Sequence, residues 1–135
     1  MKTYTAKNLD EALKAAAEDK NVMISDLTYT VVEESNGFLG IGSKTTISAY
    51  CKKDICVFMK EYLQKYFNGI GMQADVEVSE QNDFYKVTLD AENNAILIGK
   101  NGQTLQSINN VLRSAASGEF KRRVRVLIDI NGYKE

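Results

Sequence analysis

Histidine and proline are missing from these 135 residues, and Cys51 and Cys56 are the only cysteines. A zinc centre built on imidazole and thiolate would need ligands the chain does not have, so the two thiols are expected to be small, partly buried side chains. No apolar run approaches the roughly 18 residues of a membrane span. The opening MKTYTAKNLD has no signal-peptide core either, and the expectation is a cytoplasmic protein that does not insert into membranes. With no proline, low-complexity tract or flexible linker to separate units, any two units must join through regular structure. A strong charge of one sign is also lacking: the formal net charge is −1, which speaks against a generic polyanion binder.

That average hides a contrast. Residues 53–93 carry four Lys/Arg against eight Asp/Glu, whereas residues 94–135 carry seven against three. Positive charge of this kind points to where an anion could dock, although a charged surface is more often simply a solvated one. A hydrophobic fraction of 44% suffices for one ordinary domain or two very small ones.

Lys2 to Ala6 reads as a strand. Asn8 is placed to cap a helix with Glu11 three residues on, and the helix runs to about Lys20 with Leu9, Leu13, Ala12, Ala16 and Ala17 as its apolar stripe. LTYTVVEES and KTTISAYC are rich in β-branched residues and tyrosine and read as a hairpin around NGFLGIGS. Residues 1–52 thus form a β-α-β-β unit. From Asp54 the residues Ile55, Val57, Phe58, Tyr62, Leu63, Tyr66 and Phe67 recur at helical spacing as far as Asn68-Gly69. QADVEVSE and FYKVTLDA alternate as strands around a turn at Gln81-Asn82-Asp83. After Gly118, RRVRVLIDI closes as a strand with Val124, Val126, Ile128 and Ile130 on one face and Arg123, Arg125, Leu127 and Asp129 on the other. The second unit, residues 53–135, is therefore α-β-β-α-α-β, and the whole is an α+β protein of two domains.

Two glycine-bearing stretches ask for an explanation. GFLGIGSKT, from Gly37 to Thr45, misses the phosphate-loop pattern G-x-x-x-x-G-K-[ST] by one residue, and a strand follows where that loop requires a helix N-terminus. A nucleotide hydrolase is therefore set aside. The apolar Phe38, Leu39 and Ile41 have two possible uses: they cap the small sheet, or they form a tip that a protein partner takes up. The sequence leaves both open.

The second stretch, AILIGKNGQTLQSINNVLRSAAS, is helical in its apolar spacing except at Gly99, Lys100, Asn101 and Gly102. Glycine inside a helix costs about 1 kcal/mol relative to alanine, so the pair has another use. Two missing side chains let a phosphodiester approach the backbone, the following helix offers free N–H groups, and Lys100 adds charge. Ile96, Leu97, Ile98, Leu105, Ile108 and Leu112 flank the loop and serve both as core and as a groove wall for bases. Isolated acids such as Asp75, Glu77 and Asp83 have no nucleophile, base or metal set around them. No enzyme, cofactor or metal site is expected.

ILIGKNGQTLQSI resembles the Ile-Gly-x-x-Gly signature of a KH domain, whose loop clamps a short single-stranded stretch of about four nucleotides. The order α-β-β-α-α-β matches the prokaryotic, type II arrangement. A β-α-β-β unit ending in GFLGIGSKTTI directly before such a domain resembles the bacterial Jag family, also called KhpB or EloR and once named as SpoIIIJ-associated proteins. The resemblance covers essentially the whole chain. It implies Gly99, Lys100, Asn101 and Gly102 as a phosphate clamp on single-stranded RNA, with Ile98, Leu105 and Ile108 near the groove. Arg113, Lys121, Arg122, Arg123 and Arg125 would extend the positive field.

The resemblance also implies a link to cell elongation, division or sporulation. Pairing with a small KH-only, KhpA-like protein or with a second copy is part of the same expectation. The rival reading is a scaffold whose N-terminal domain holds a membrane-associated or cell-wall partner through Phe38, Leu39 and Ile41. Two departures stand out. Ser35-Asn36 precede the GFLG stretch where the family usually has lysine, which weakens any charge-dependent role there. The family also continues into an Arg-x-x-x-His single-strand-binding domain, which is not found in these residues, so the expectation is a fragment or a short member.

Overall fold

A computed structural model describes residues 1–37, 42–99 and 102–130. It divides into two compact units between Asp54 and Ile55. The α+β expectation holds, with a three-stranded sheet in each unit.

In the first unit β1 (Lys2–Ala6) leads into α1 (Leu9–Lys20), a short 3₁₀ turn at Ile24–Asp26, β2 (Thr28–Ser35) and β3 (Lys44–Tyr50). The Asn8 side chain accepts a hydrogen bond from the Glu11 N–H at 2.9 Å, which satisfies one of the free donors of the first helical turn. Asn21, in the left-handed region at φ 56°, ends the helix by returning its N–H to the carbonyls of the last turn. The sheet order is β1-β3-β2 with both pairings antiparallel, so β3 is central. Ala12, Leu13 and Ala16 pack on Tyr4, Ile47 and Ala49, and small side chains there let the helix approach the strands closely.

α1 lies over β1 and β3. Every residue of β2 consequently remains exposed, including Tyr29 and Val31, which pair with Ala49 and Ile47. A bulge between Val31 and Glu33 adds Val32, itself 60% exposed.

α2 spans Lys52–Gly69. Its first turn is held by Asp54, whose carboxylate accepts from the Cys51 N–H at 2.9 Å and meets Lys20 Nζ at 2.7 Å. Burial pushes the Asp54 carboxyl up, but Lys20 and the Cys51 N–H outweigh it and leave it below the usual carboxylate range. Cys51 is buried, Cys56 is half-buried, and neither is in a disulfide. The stripe that α2 buries is narrower than the sequence suggested. Ile55, Met59, Leu63 and Phe67 are buried at four-residue spacing, while Val57 and Tyr66 stay exposed because they project off that line.

The second unit continues with β4 (Ala74–Glu80), β5 (Tyr85–Ala91), α3 (Asn94–Ile98), α4 (Gln103–Phe120) and β6 (Val126–Ile130). The closing strand starts later than the alternation of RRVRVLIDI implied. α4 runs past Gly118 to Phe120, Lys121 caps it in the left-handed region, and Val124 is tied by its N–H to Ser117 Oγ at 3.2 Å. The order β4-β5-β6 pairs β4 with β5 antiparallel and β5 with β6 parallel. Val76, Val87, Leu89 and Ile130 supply the sheet's buried side chains, and Leu97, Ile108, Leu112, Ala116 and Phe120 those of the two helices. Phe58 of α2 meets Phe120 edge-on, ring centroids 5.6 Å apart.

Candidate nucleic-acid interface

A parallel pair cannot be joined by a tight turn, so the chain must cross over between β5 and β6. α3 and α4 make that crossing, and the Gly99–Gly102 stretch lies between them. Asparagines set its entry: Asn94 Oδ1 accepts from the Ala91 N–H at 2.7 Å, and Asn93 Oδ1 accepts from the Ala95 N–H at 3.1 Å.

Both glycines are at positive φ, Gly99 at 73° and Gly102 at 74°, where L side chains are strained. A Cβ on Gly99 would run into the Thr104 side chain and stand 3.0 Å from the Thr104 backbone nitrogen. Gly102 is the N-cap of α4 and provides no side chain to the first N–H groups of an 18-residue helix. Free donors and the positive end of the helix dipole therefore coincide where neither glycine adds a side chain of its own. Lys100 and Asn101, the two tip residues expected at the clamp, lie outside the described residues, as do Phe38, Leu39 and Ile41.

Beside the loop a cavity of about 540 Å³ opens between α4 and β6. Leu105, Gln106 and Asn109 line it from the helix; Lys86, Leu127, Ile128 and Asp129 line it from the sheet. β6 is an edge strand. The Arg125 carbonyl accepts from the Tyr85 N–H at 2.9 Å, so strand alternation turns the main-chain groups of Val126 and Ile128 toward the free edge. The result is a slot of mixed lining, apolar at Leu105, Leu127 and Ile128, with main-chain donors and acceptors along one side. Lys86 Nζ and Asp129 Oδ2 are 4.0 Å apart with both side chains nearly half exposed, a loose pair worth little to stability.

Leu105 is on the slot wall, while Ile98 is half-buried and Ile108 is buried in the core. Arg113 is exposed, follows Asn109 by one helical turn and donates to Asn110 Oδ1 at 2.9 Å. Lys121, Arg122, Arg123 and Arg125 are all exposed where α4 hands over to β6. The outer face of the sheet has the opposite character. Asp75 and Asp90 stand directly across the β4–β5 ladder with Glu77 beside them, so a polyanion is repelled there. Gln106, Asn109, Lys86 and Asp129 were not singled out from sequence. Only folding brings α4 and the β6 edge together, and a polar residue on a helix carries no periodic signal of its own.

The fold and the glycine loop together define a KH module of type II, preceded by a second small α+β unit. The Jag N-terminus family model matches residues 4–51, and that of the KhpA/KhpB KH domain matches residues 60–128. The chain belongs to the Jag/KhpB family. It is 35% identical over 139 residues to the RNA-binding protein KhpB of Clostridium symbiosum, an alignment covering all of this chain and 63% of that protein. It is 33% identical over 138 residues to the RNA-binding protein KhpB of Bacillus subtilis, covering 98% and 65%. The chain thus spans a little under two thirds of the length of these relatives.

No helix among the described residues is long and apolar enough to cross a membrane.

Proposed function

We propose that this chain binds single-stranded RNA in the slot between α4 and the β6 edge, with phosphates on the Gly99–Gly102 loop. The observation that carries this reading is the pair of positive-φ glycines directly before an 18-residue helix with no side-chain cap, beside a slot that Leu105, Leu127 and Ile128 help to line. Lys100 supplies charge at the tip and Asn101 a further donor. Leu105 with the main-chain edge of Ile128 takes the bases, and Arg113 and Arg125 extend the positive field. The relatives' name as RNA-binding proteins supports the same reading.

In this role the protein is a non-enzymatic regulator in the cytoplasm, made of a Jag N-terminal domain over residues 1–52 and a KH domain over residues 53–135. Pairing with a KH-only protein or a second copy, and a place in cell elongation, division or sporulation, come with the family resemblance. One module neutralises few phosphates, so binding is weak and falls steeply with salt.

Fluorescence anisotropy of a labelled single-stranded RNA tests the reading. The native chain binds and weakens with salt, whereas the folded Lys100→Asp, Asn101→Asp double variant does not bind. Equal binding by both, or by neither, overturns it.

A second reading is favoured by the exposed β2 edge. There Tyr29, Val31 and Val32 offer apolar surface and unpaired main chain to a protein partner next to the Phe38-Leu39-Ile41 segment. A folded Phe38→Ser, Leu39→Ser variant that keeps every protein partner removes that role from the segment.

A further inference from the structure

Charge continues along α4 beyond the slot. Arg113 stands one helical turn past Asn109, and its guanidinium donates to Asn110 Oδ1 at 2.9 Å. That group has five N–H donors, so one bond to Asn110 leaves others for an anion. Another turn on, Ser117 Oγ accepts from the Val124 N–H at 3.2 Å, and the chain entering β6 touches α4 there. Past this contact Lys121 caps the helix and Arg123 follows. Both are exposed, and among the described residues neither is held in an ion pair. Arg122 and Glu119 at the same corner are already engaged.

A strand held at the Gly99–Gly102 loop and longer than the clamp's stretch of about four nucleotides must leave over some surface. The outer face of the sheet turns it away, because Asp75 and Asp90 stand across the β4–β5 ladder with Glu77 on the same face. The α4 side has the opposite sign: residues 103–130 carry five Lys/Arg against two Asp/Glu. Eighteen residues of helix extend about 27 Å, so Lys121 and Arg123 meet nucleotides that follow the clamped ones. Long cationic side chains on an open surface contact phosphates and carry no base readout. Even a weak contact there adds affinity, since the clamp tethers the strand close by.

Resting on the RNA-binding reading, we infer that Arg113, Lys121 and Arg123 form a second phosphate-contacting site, which takes the RNA leaving the glycine loop along α4 and adds affinity without sequence preference. The ligand of the whole surface is a single strand longer than the clamp itself can hold.

The test is anisotropy over a range of salt with two labelled single-stranded RNA pools of random sequence, about four and about ten nucleotides long. The native chain is expected to show the steeper salt dependence with the longer pool. Lys121→Gln, Arg123→Gln is expected to weaken the longer pool about tenfold, to lower its salt slope by about one to two, and to leave the shorter pool unchanged, with the fold intact by circular dichroism. Arg113→Gln is expected to weaken the longer pool more than the shorter, and serves alone if the double variant does not fold. Unchanged binding of the longer pool by the folded variants overturns the inference and leaves the RNA-binding reading standing. So does an equal loss for both lengths, which marks a diffuse field and no second site. Where the shorter pool binds too weakly to measure, the salt slope of the longer one decides. Failure of the native chain to bind either pool overturns that reading and this inference together.

Discussion

The two sheets of this protein have the same number of strands and differ in one pairing. In the first unit both pairings are antiparallel, consecutive strands β2 and β3 are neighbours, and the free edge β2 stays exposed along its length. In the second, β5 and β6 run parallel, and the connection between them is a two-helix crossover. The crossover lays α4 beside a free strand edge and sets the glycine pair at the N-terminus of that helix. A slot with a dipole at its mouth arises from the parallel pairing, and the all-antiparallel sheet has no equivalent among the described residues.

Replacing Leu112, fully buried under the crossover, breaks the second unit most. Leu112→Ala is expected to cost about 2–5 kcal/mol, seen as loss of amide-exchange protection in β4, β5 and β6 with β1 and β3 still protected. Gly99→Ala is next, because it combines a positive φ with collision against Thr104. A loss of about 1–3 kcal/mol should appear in thermal melting, together with loss of RNA binding.

The sharpest contrast within one helix comes from Gly118→Ala. Nothing lies within 4 Å of its added Cβ, so α4 gains about 0.5–1 kcal/mol in the same melting experiment while RNA binding is unchanged. In the first unit Asn8→Ala removes the cap of α1 and lowers stability by about 1 kcal/mol, read from the exchange of the Glu11 amide.

The smallest effect depends on pH. The Asp54 carboxyl is held below its ordinary value, about 3.9, so its contribution is complete above that value and is lost as pH falls through the native one. Lys20→Met removes the strongest lowering partner. The variant is expected to be less stable than the native chain at neutral pH, with the gap closing on the acid side of pH 4. A gap that stays constant through an acid titration followed by circular dichroism would show that the pair contributes packing alone.

Much of this was legible beforehand because local patterns decided it. Lys2–Ala6 and Leu9–Lys20 lie where alternation, the Asn8 cap and the alanine stripe put them, and the glycine pair interrupts the helix between Ile98 and Gln103. The misses share one cause. Val57 and Tyr66 belong to an apolar pattern that the fold leaves outside, since a stripe is buried only where another element covers it. Arg123 to Arg125 alternate like a strand, yet the strand begins at Val126, because Val124 is committed to Ser117. Ile108, expected near the groove or in the core, is buried, while Asn109 beside it lines the slot.

By itself the sequence determined most of the elements, their order and the place of the glycine loop. Each of these depends on spacing and backbone conformation within a few residues. Only the tertiary structure decided that β6 runs parallel to β5 with a free edge, that α4 lies beside that edge, and that Leu105 and Asn109 line a slot there. Those are contacts between residues far apart in the chain, set by which apolar faces must be buried together, and no local pattern encodes them.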